Sequence, residues 1–429
     1  MNNSSIINIR NIFYLATINC ILLFIFCGRQ WDYDTNSYIS AWNNISSIHI
    51  DIWRTPIYPL FIGITQKCFG SYYLMAGTII QHIVFLISIL YFYKSALSII
   101  ESNRIAFFTT AVYALYPCYA TWNCFILTEP FAIYSMVFTL YCAITAYRNN
   151  STFHIVAFGF WILFQIFLRP AQIYILPVFL LGWIMLFIKE RKVSTILIGG
   201  ITSIVFASCL MLIYMFEFKR TYGVFSPCGV GIVNKYYMAR RDGTLAYNNI
   251  KDIKFKEYIA ERDKLFQEGK GTNIDLFIEA QDAVYNFGAK AVSDNLSLYN
   301  KTTLSCQAKS IIQRFHNASK DKLLDTFIKK ISIITDIIGF RLNLIYYLLI
   351  IYPIVIIYCW KKQKSVPWFS TILYMLGFSH LLIIIVACQN IWGRLILPVT
   401  PIYLLMIGQL INYLILFCFR NNSKSYASI

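Results

Sequence analysis

Apolar residues in this chain run in continuous blocks of about 17–25, the length a helix needs to cross the hydrocarbon of a bilayer. Inside lipid, backbone N–H and C=O groups find no water, so only helices and closed barrels can span. Barrel strands would alternate apolar and polar residues, and these blocks do not. Composition agrees, with 58% of the 429 residues hydrophobic and only 13% charged. A soluble domain carries about twice that charged share. The expected fold is an all-α polytopic membrane protein.

The pattern predicts ten spans, near 11–27, 71–93, 105–116, 128–147, 153–168, 171–188, 193–216, 337–360, 367–388 and 395–417. Five basic clusters then fall on one face: Lys94 with Arg104, Arg148, Lys189-Glu190-Arg191-Lys192, Lys361-Lys362-Gln363-Lys364, and Arg420 with Lys424. The positive-inside rule makes that face cytoplasmic. Segments 29–70, 117–129, 169–172, 217–336 and 389–394 are then expected outside, with 29–70 an interfacial first loop. The net charge of +17 is assigned to these clusters and to anionic headgroups. No basic block is interleaved with aromatics, so nucleic acid is not expected as a partner. The N-terminus reads as a retained first helix, because no small-residue cleavage pattern follows its apolar stretch.

Residues 217–336 are different material, mixing both charge signs, as in Glu257-Tyr258-Ile259-Ala260-Glu261-Arg262-Asp263-Lys264. That length is too great for a simple loop. The reading is an N-terminal transmembrane module (1–216), a mainly helical extracytoplasmic domain between helices seven and eight (217–336), and a C-terminal transmembrane module (337–429). The 12 cysteines form no CxxC or Cys/His metal spacing. Cys118 with Cys124, and Cys228 with Cys306, are the pairs an oxidising face would allow; free, packed thiols are the stronger expectation.

Ionisable residues with chemistry to offer lie in the segments expected outside. Asp32 and Asp34 follow the first span; Asp51 and Arg54 precede Pro56-Ile57-Tyr58-Pro59. Glu129 opens the fourth helix, Arg169-Pro170 turns between the fifth and sixth, and Arg394 opens the tenth. Charges at that depth are costly to keep without a task. Arginine grips phosphate through a planar fork. A nearby carboxylate could take a proton from an incoming hydroxyl or hold a divalent ion. Each residue also has a plain reading. Asp34 before Thr35-Asn36-Ser37 would serve as a helix N-cap. Glu129 would complement a helix dipole. Arg54, Arg169 and Arg394 could snorkel to headgroups. Asp51 is the weakest candidate, and His82 and His154 read as packed side chains.

In this order, these residues resemble the GT-C superfamily of membrane glycosyltransferases, in its bacterial branch related to protein O-mannosyltransferases and the lipid A aminoarabinose transferase. Asp34-Thr35-Asn36-Ser37-Tyr38 is similar to the first-loop acidic motif, and Arg54-Thr55-Pro56-Ile57-Tyr58-Pro59 to an Arg-x-Pro-Leu-Tyr-Pro signature. Thr128-Glu129, Arg169-Pro170 and Gly393-Arg394-Leu395-Ile396-Leu397-Pro398 resemble the later elements. Thr35 stands where a second acidic residue is usual, and Leu395 where Tyr is common. The likeness covers roughly 1–190 and 385–420.

That resemblance implies transfer of a sugar from a polyprenyl-phosphate donor to a lipid, protein or glycan acceptor, outside the membrane and with inversion. Asp34 would be the general base, with Asp32 assisting. Tyr38, Arg54, Tyr58, Glu129, Arg169 and Arg394 would bind substrate. The cofactor is left open; a divalent cation, if used, would fall to Asp32, Asp34 and Glu129. A bias toward Ile, Asn, Lys and Tyr points to a bacterial inner membrane. Competing readings are a polysaccharide polymerase or ligase using Arg240, Arg241 or Arg314, a transporter or flippase, and a non-enzymatic assembly protein.

Overall fold

The computed structural model describes residues 3–32, 34–190, 194–241, 250–268, 273–296, 342–363, 367–387 and 392–426. Regular structure among them is helical, apart from one isolated bridge between Gln30 and Phe125. The helices are α1 Asn3–Cys27, α2 Thr35–Ser46, α3 Ile57–Phe69, α4 Tyr73–Ile99, α5 Asn103–Leu115, α6 Pro117–Trp122, α7 Glu129–Asn149, α8 Thr152–Leu168, α9 Ile175–Glu190 and α10 Thr195–Tyr222. They continue with α11 Val230–Arg241, α12 Ile253–Gln267, α13 Asn273–Leu296, α14 Leu342–Gln363, α15 Trp368–Ala387, α16 Trp392–Ile396 and α17 Thr400–Tyr426.

Six of these stretches are long and apolar enough to cross a membrane: Ile9–Cys27, Ile57–Ile99, Glu129–Asn149, Pro170–Glu190, Thr195–Tyr222 and Arg394–Phe417. Three more, Thr152–Leu168, Tyr347–Lys361 and Trp368–Ile384, are apolar but shorter. This is an all-α membrane protein. The expected third span is α5, only 13 residues, which at helical rise covers about 20 Å. The 29–70 segment, expected as an interfacial loop, is largely helical. It folds into α2 and the apolar α3, and α3 runs into α4 through a 3-10 turn, Gly70–Tyr72. The 117–127 connection likewise contains α6, and α10 continues to Tyr222.

The bundle is graded from centre to rim. Most of α7 is buried, whereas most of α1 is not. A helix apolar on every side suits either place: α7 packs against α4 and α8, whereas α1 leaves Ile18, Leu22 and Phe26 exposed. Helices in lipid gain little from excluding water, so close packing must hold them together. Gly200 illustrates this, since an added Cβ would sit 2.5 Å from the ring of the fully buried Trp183. Trp368 Nε1 donates to Gly182 O at 2.6 Å across another such contact.

Helices α11–α13 share a separate core built on Val233, Tyr236, Phe255, Ile259 and Val284. Ile52 and Trp53, immediately before Arg54, pack against it. Gly229 N donates to Ile52 O at 2.6 Å, and the Tyr222 hydroxyl donates to Ile50 O at 2.7 Å. A Cβ on Gly229 would lie 2.9 Å from Ile52 O, so this approach requires glycine. Cys118, Cys124 and Cys228 are free; Cys306 lies outside the described residues.

Candidate active site

The loop leaving α1 is pinned before it delivers any chemistry. Gln30 N donates to Cys124 O at 2.8 Å. Thr35, fully buried, donates its hydroxyl to Ile126 O at 3.3 Å and accepts from Asp32 N at 3.1 Å. Asp34 N donates to Asp32 Oδ1 at 3.0 Å, closing a short turn that is typical of aspartate. Asp34 occupies the N-cap position of α2, yet its carboxylate makes no capping bond. It is free to point elsewhere. Asp51 does the opposite. Its Oδ1 accepts from Trp53 N at 2.8 Å and Arg54 N at 2.7 Å, and its Oδ2 accepts from Asn44 at 2.8 Å. Asp51 therefore shapes the turn that aims Arg54.

Those turns bring widely separated residues together. Arg54 Nη2 donates to Asp34 Oδ1 at 2.6 Å, and Arg394 Nη2 to Asp34 Oδ2 at 2.6 Å. The remaining nitrogens of Arg394 reach Glu129 Oε1 at 2.5 Å and Asp32 Oδ1 at 3.3 Å. Arg169 Nη1 lies 3.1 Å from Glu129 Oε1 as an ion pair. Arg54 is held on its other nitrogens by Ser37 Oγ at 2.8 Å and the Tyr38 hydroxyl at 3.1 Å. Asp34 and Arg394 are 360 positions apart in the chain. Of the predicted site residues, Asp32, Asp34, Tyr38, Arg54, Glu129, Arg169 and Arg394 thus form one contact network. Tyr58 does not join it: its ring packs edge-on to Tyr38, 4.9 Å between centroids, and its hydroxyl donates to Gln81 at 3.0 Å.

Burial by itself would raise the pKa of Asp34, but the guanidiniums of Arg54 and Arg394 outweigh it and hold the carboxyl below its ordinary value. Burial would likewise lower Arg54, and the facing Tyr38 and Asp34 keep it above its usual range. The Tyr38 phenol is pushed up, chiefly by burial. Glu129 is 1% exposed, and the three arginine side chains are 13–15% exposed. Taking so many charges out of water is expensive, and apolar replacements for a buried ion network are often as stable or more so. The cluster is therefore a poor device for stability and a good one for gripping a charged ligand.

A divalent ion does not fit the arrangement as it stands. Each of Asp32, Asp34 and Glu129 is engaged by at least one guanidinium. Among the described residues, no group of three His, Cys, Asp or Glu side chains is placed to hold a metal.

Some contributors escaped the sequence. Ser37 bonds Arg54 and Thr128 bonds the Tyr38 hydroxyl, although neither carries a charge that would mark it. The turn after Arg169 carries Gln172 and Tyr174, both buried, and buried His380 faces Tyr174 with ring centroids 5.3 Å apart. Both polar atoms of Gln172, the Tyr174 hydroxyl and His380 Nδ1 have no hydrogen-bond partner among the described residues. A buried polar group left unpaired costs about 1–3 kcal/mol. Neutral residues inside an apolar run give no periodic or charge signal that would have marked them.

Comparison with known sequences adds no family name. No protein-family model matches the chain, and no curated protein matches it significantly.

Proposed function

We propose that this protein is a membrane glycosyltransferase that moves a sugar from a polyprenyl-phosphate donor to an acceptor hydroxyl, with inversion and on the extracytoplasmic side. The reading rests above all on one observation: a single carboxylate, Asp34, is shared by two arginines drawn from opposite ends of the chain. Three guanidiniums face three carboxylates, so the cluster is charge-balanced before any ligand arrives. An anionic lipid phosphate competes with Asp34 for Arg54 and Arg394. Phosphate accepts from the same planar forks. Once the arginines turn to the phosphate, Asp34 is ionised, unclamped and adjacent to the donor.

Chemistry then follows from those positions. The acceptor O–H gives its proton to Asp34 while its oxygen attacks the anomeric carbon. The bond from that carbon to the phosphate oxygen breaks, and the lipid phosphate departs with the electron pair. Arg54 and Arg394 stabilise the charge that develops on the leaving group. Glu129, fixed between Arg169 and Arg394, sets the orientation of both arginines. A general base in reach of the hydroxyl contributes about 10²–10⁴-fold. The setting would be a bacterial inner membrane, with ten spans and the 217–336 region outside.

A polymerase or ligase would instead need arginines of the 217–336 region to grip phosphate. Arg240 is already committed to Glu279 at 2.8 Å and Asp263 at 2.6 Å; Arg314 and the side chain of Arg241 lie outside the described residues. The test uses full-length protein in lipid vesicles with a polyprenyl-phosphate hexose and a hydroxyl acceptor. Wild type should release free polyprenyl phosphate. Asp34→Asn should bind the donor and release free polyprenyl phosphate about 10²–10⁴-fold more slowly. Full activity of a well-expressed Asp34→Asn protein would end the assignment.

A further inference from the structure

Beside the ion cluster lies a second set of polar groups that the proposed chemistry does not use. Arg169 begins a 3-10 turn, Pro170–Tyr174. Residues three apart in such a turn lie above one another, and Gln172 N donates to Arg169 O at 2.8 Å. That backbone bond closes Arg169 and Gln172 into one turn. Gln172 is 0% exposed, Tyr174 5% and His380 3%, and the polar atoms noted above find no hydrogen-bond partner among the described residues. His380 is fixed from its other side, because Nε2 lies 2.9 Å from Leu395 O, immediately after Arg394. A carbonyl can only accept, so Nε2 carries the hydrogen, and Nδ1 of the neutral ring is an acceptor.

We infer that Gln172, Tyr174 and His380 form the subsite for the hydroxyl-bearing sugar ring of the donor; this rests on the glycosyltransferase reading. The unused atoms comprise an amide donor, an amide acceptor, a phenolic hydroxyl and an imidazole acceptor. These four belong to neutral groups, so they offer nothing to a phosphate that the arginines would not bind better; Arg169 Nη1, which also lacks a hydrogen bond among the described residues, lies 3.1 Å from Glu129 as an ion pair. Buried groups of this kind match neighbouring hydroxyls, each of which both donates and accepts. The aromatic faces of Tyr174 and His380 add a flat surface. The subsite connects to the ion cluster at two points, through Arg169 at the start of its turn and through Leu395 next to Arg394. A sugar attached to a phosphate held by Arg394 would reach it without leaving that phosphate.

The experiment compares binding of bare undecaprenyl phosphate with undecaprenyl-phosphate-linked neutral hexoses (glucose, galactose and mannose) to full-length protein in nanodiscs. Wild type should bind at least one loaded carrier about tenfold more tightly than the bare one. Tyr174→Phe and Gln172→Leu should each remove about 3–10-fold of that preference, the worth of one neutral hydrogen bond, with bare-carrier affinity unchanged. Tyr174→Phe keeps the ring, so a folding defect is not expected to obscure the result. Arg394→Ala should weaken bare and loaded carriers alike. Variants that keep the full preference, or that lose bare and loaded carriers equally, overturn the subsite. So does a wild type that binds bare and loaded carriers equally, even though the phosphate site then stands. Failure of wild type to bind either carrier overturns the glycosyltransferase reading itself.

Discussion

Two arginine–carboxylate clusters in this protein look alike in outline and differ in every physical detail. In the helical unit α11–α13, Arg240 reaches Glu279 and Asp263, residues 39 and 23 positions away. Glu279 also accepts from the Tyr236 hydroxyl at 2.6 Å, inside that unit's own core. This is one arginine stitching three neighbouring helices, with Asp263 45% exposed at the rim. The other cluster gathers three arginines and three carboxylates from five separate segments spread across the chain. Its Asp34 sits at a helix start and leaves the cap unmade. The first is what a fold does to fasten its own parts. The second concentrates charge far beyond what fastening needs, and forgoes a local bond to do so.

The largest effect should come from the second cluster. Asp34→Asn should lower sugar transfer by about 10²–10⁴-fold, while thermal unfolding in detergent shows the protein still folded. An equal loss from Glu279→Ala, per folded molecule, would erase the distinction between the clusters. Glu279→Ala should act on stability instead. It leaves Arg240 with Asp263 alone and the Tyr236 hydroxyl without its acceptor, a change that costs about 1–3 kcal/mol, seen as early proteolysis within 230–296 and normal turnover by the surviving molecules.

Gly229→Ala sharpens the link between the two regions. Its Cβ would meet Ile52 O at 2.9 Å, so the helical unit must shift from the segment that aims Arg54. A loss of about 1–3 kcal/mol is expected, with a weaker donor KM that Asp51→Asn should reproduce in part. Tyr58→Phe should cost only about 0.5–1.5 kcal/mol through its bond to Gln81, because it supports Tyr38 from below the network. A tenfold or greater loss of turnover there would move Tyr58 into the site proper.

The smallest effect is one of pH. Asp34 is held below its ordinary pKa by two arginines, so it is ionised in the free protein throughout the neutral range. Its contribution to stability is full above the unfolded value, near 3.9, and fades as pH falls through the lower folded value. The profile of kcat/KM should therefore show no acid limb from Asp34 between about pH 5 and 8. An acid limb near pH 6 that disappears in Asp34→Asn would mean that the carboxylate is not clamped in the working protein.

The sequence by itself determined that this is a helical membrane protein, because block length and continuity follow from the thickness of a bilayer and the demands of the backbone within it. Motif residues such as Asp34, Arg54, Glu129 and Arg394 were also legible, since a charge bordering an apolar run stands out. Tertiary structure alone decided that α3 belongs with the apolar helices, and that Asp51 builds a turn while Asp34 joins an ion cluster. It alone paired residue 34 with residue 394, and it left the Gln172 amide, the Tyr174 hydroxyl and His380 Nδ1 buried with no hydrogen bond among the described residues. Spanning is a property of a stretch of chain and its solvent. Convergence depends on which loops meet, and that is settled by helix packing between segments hundreds of residues apart.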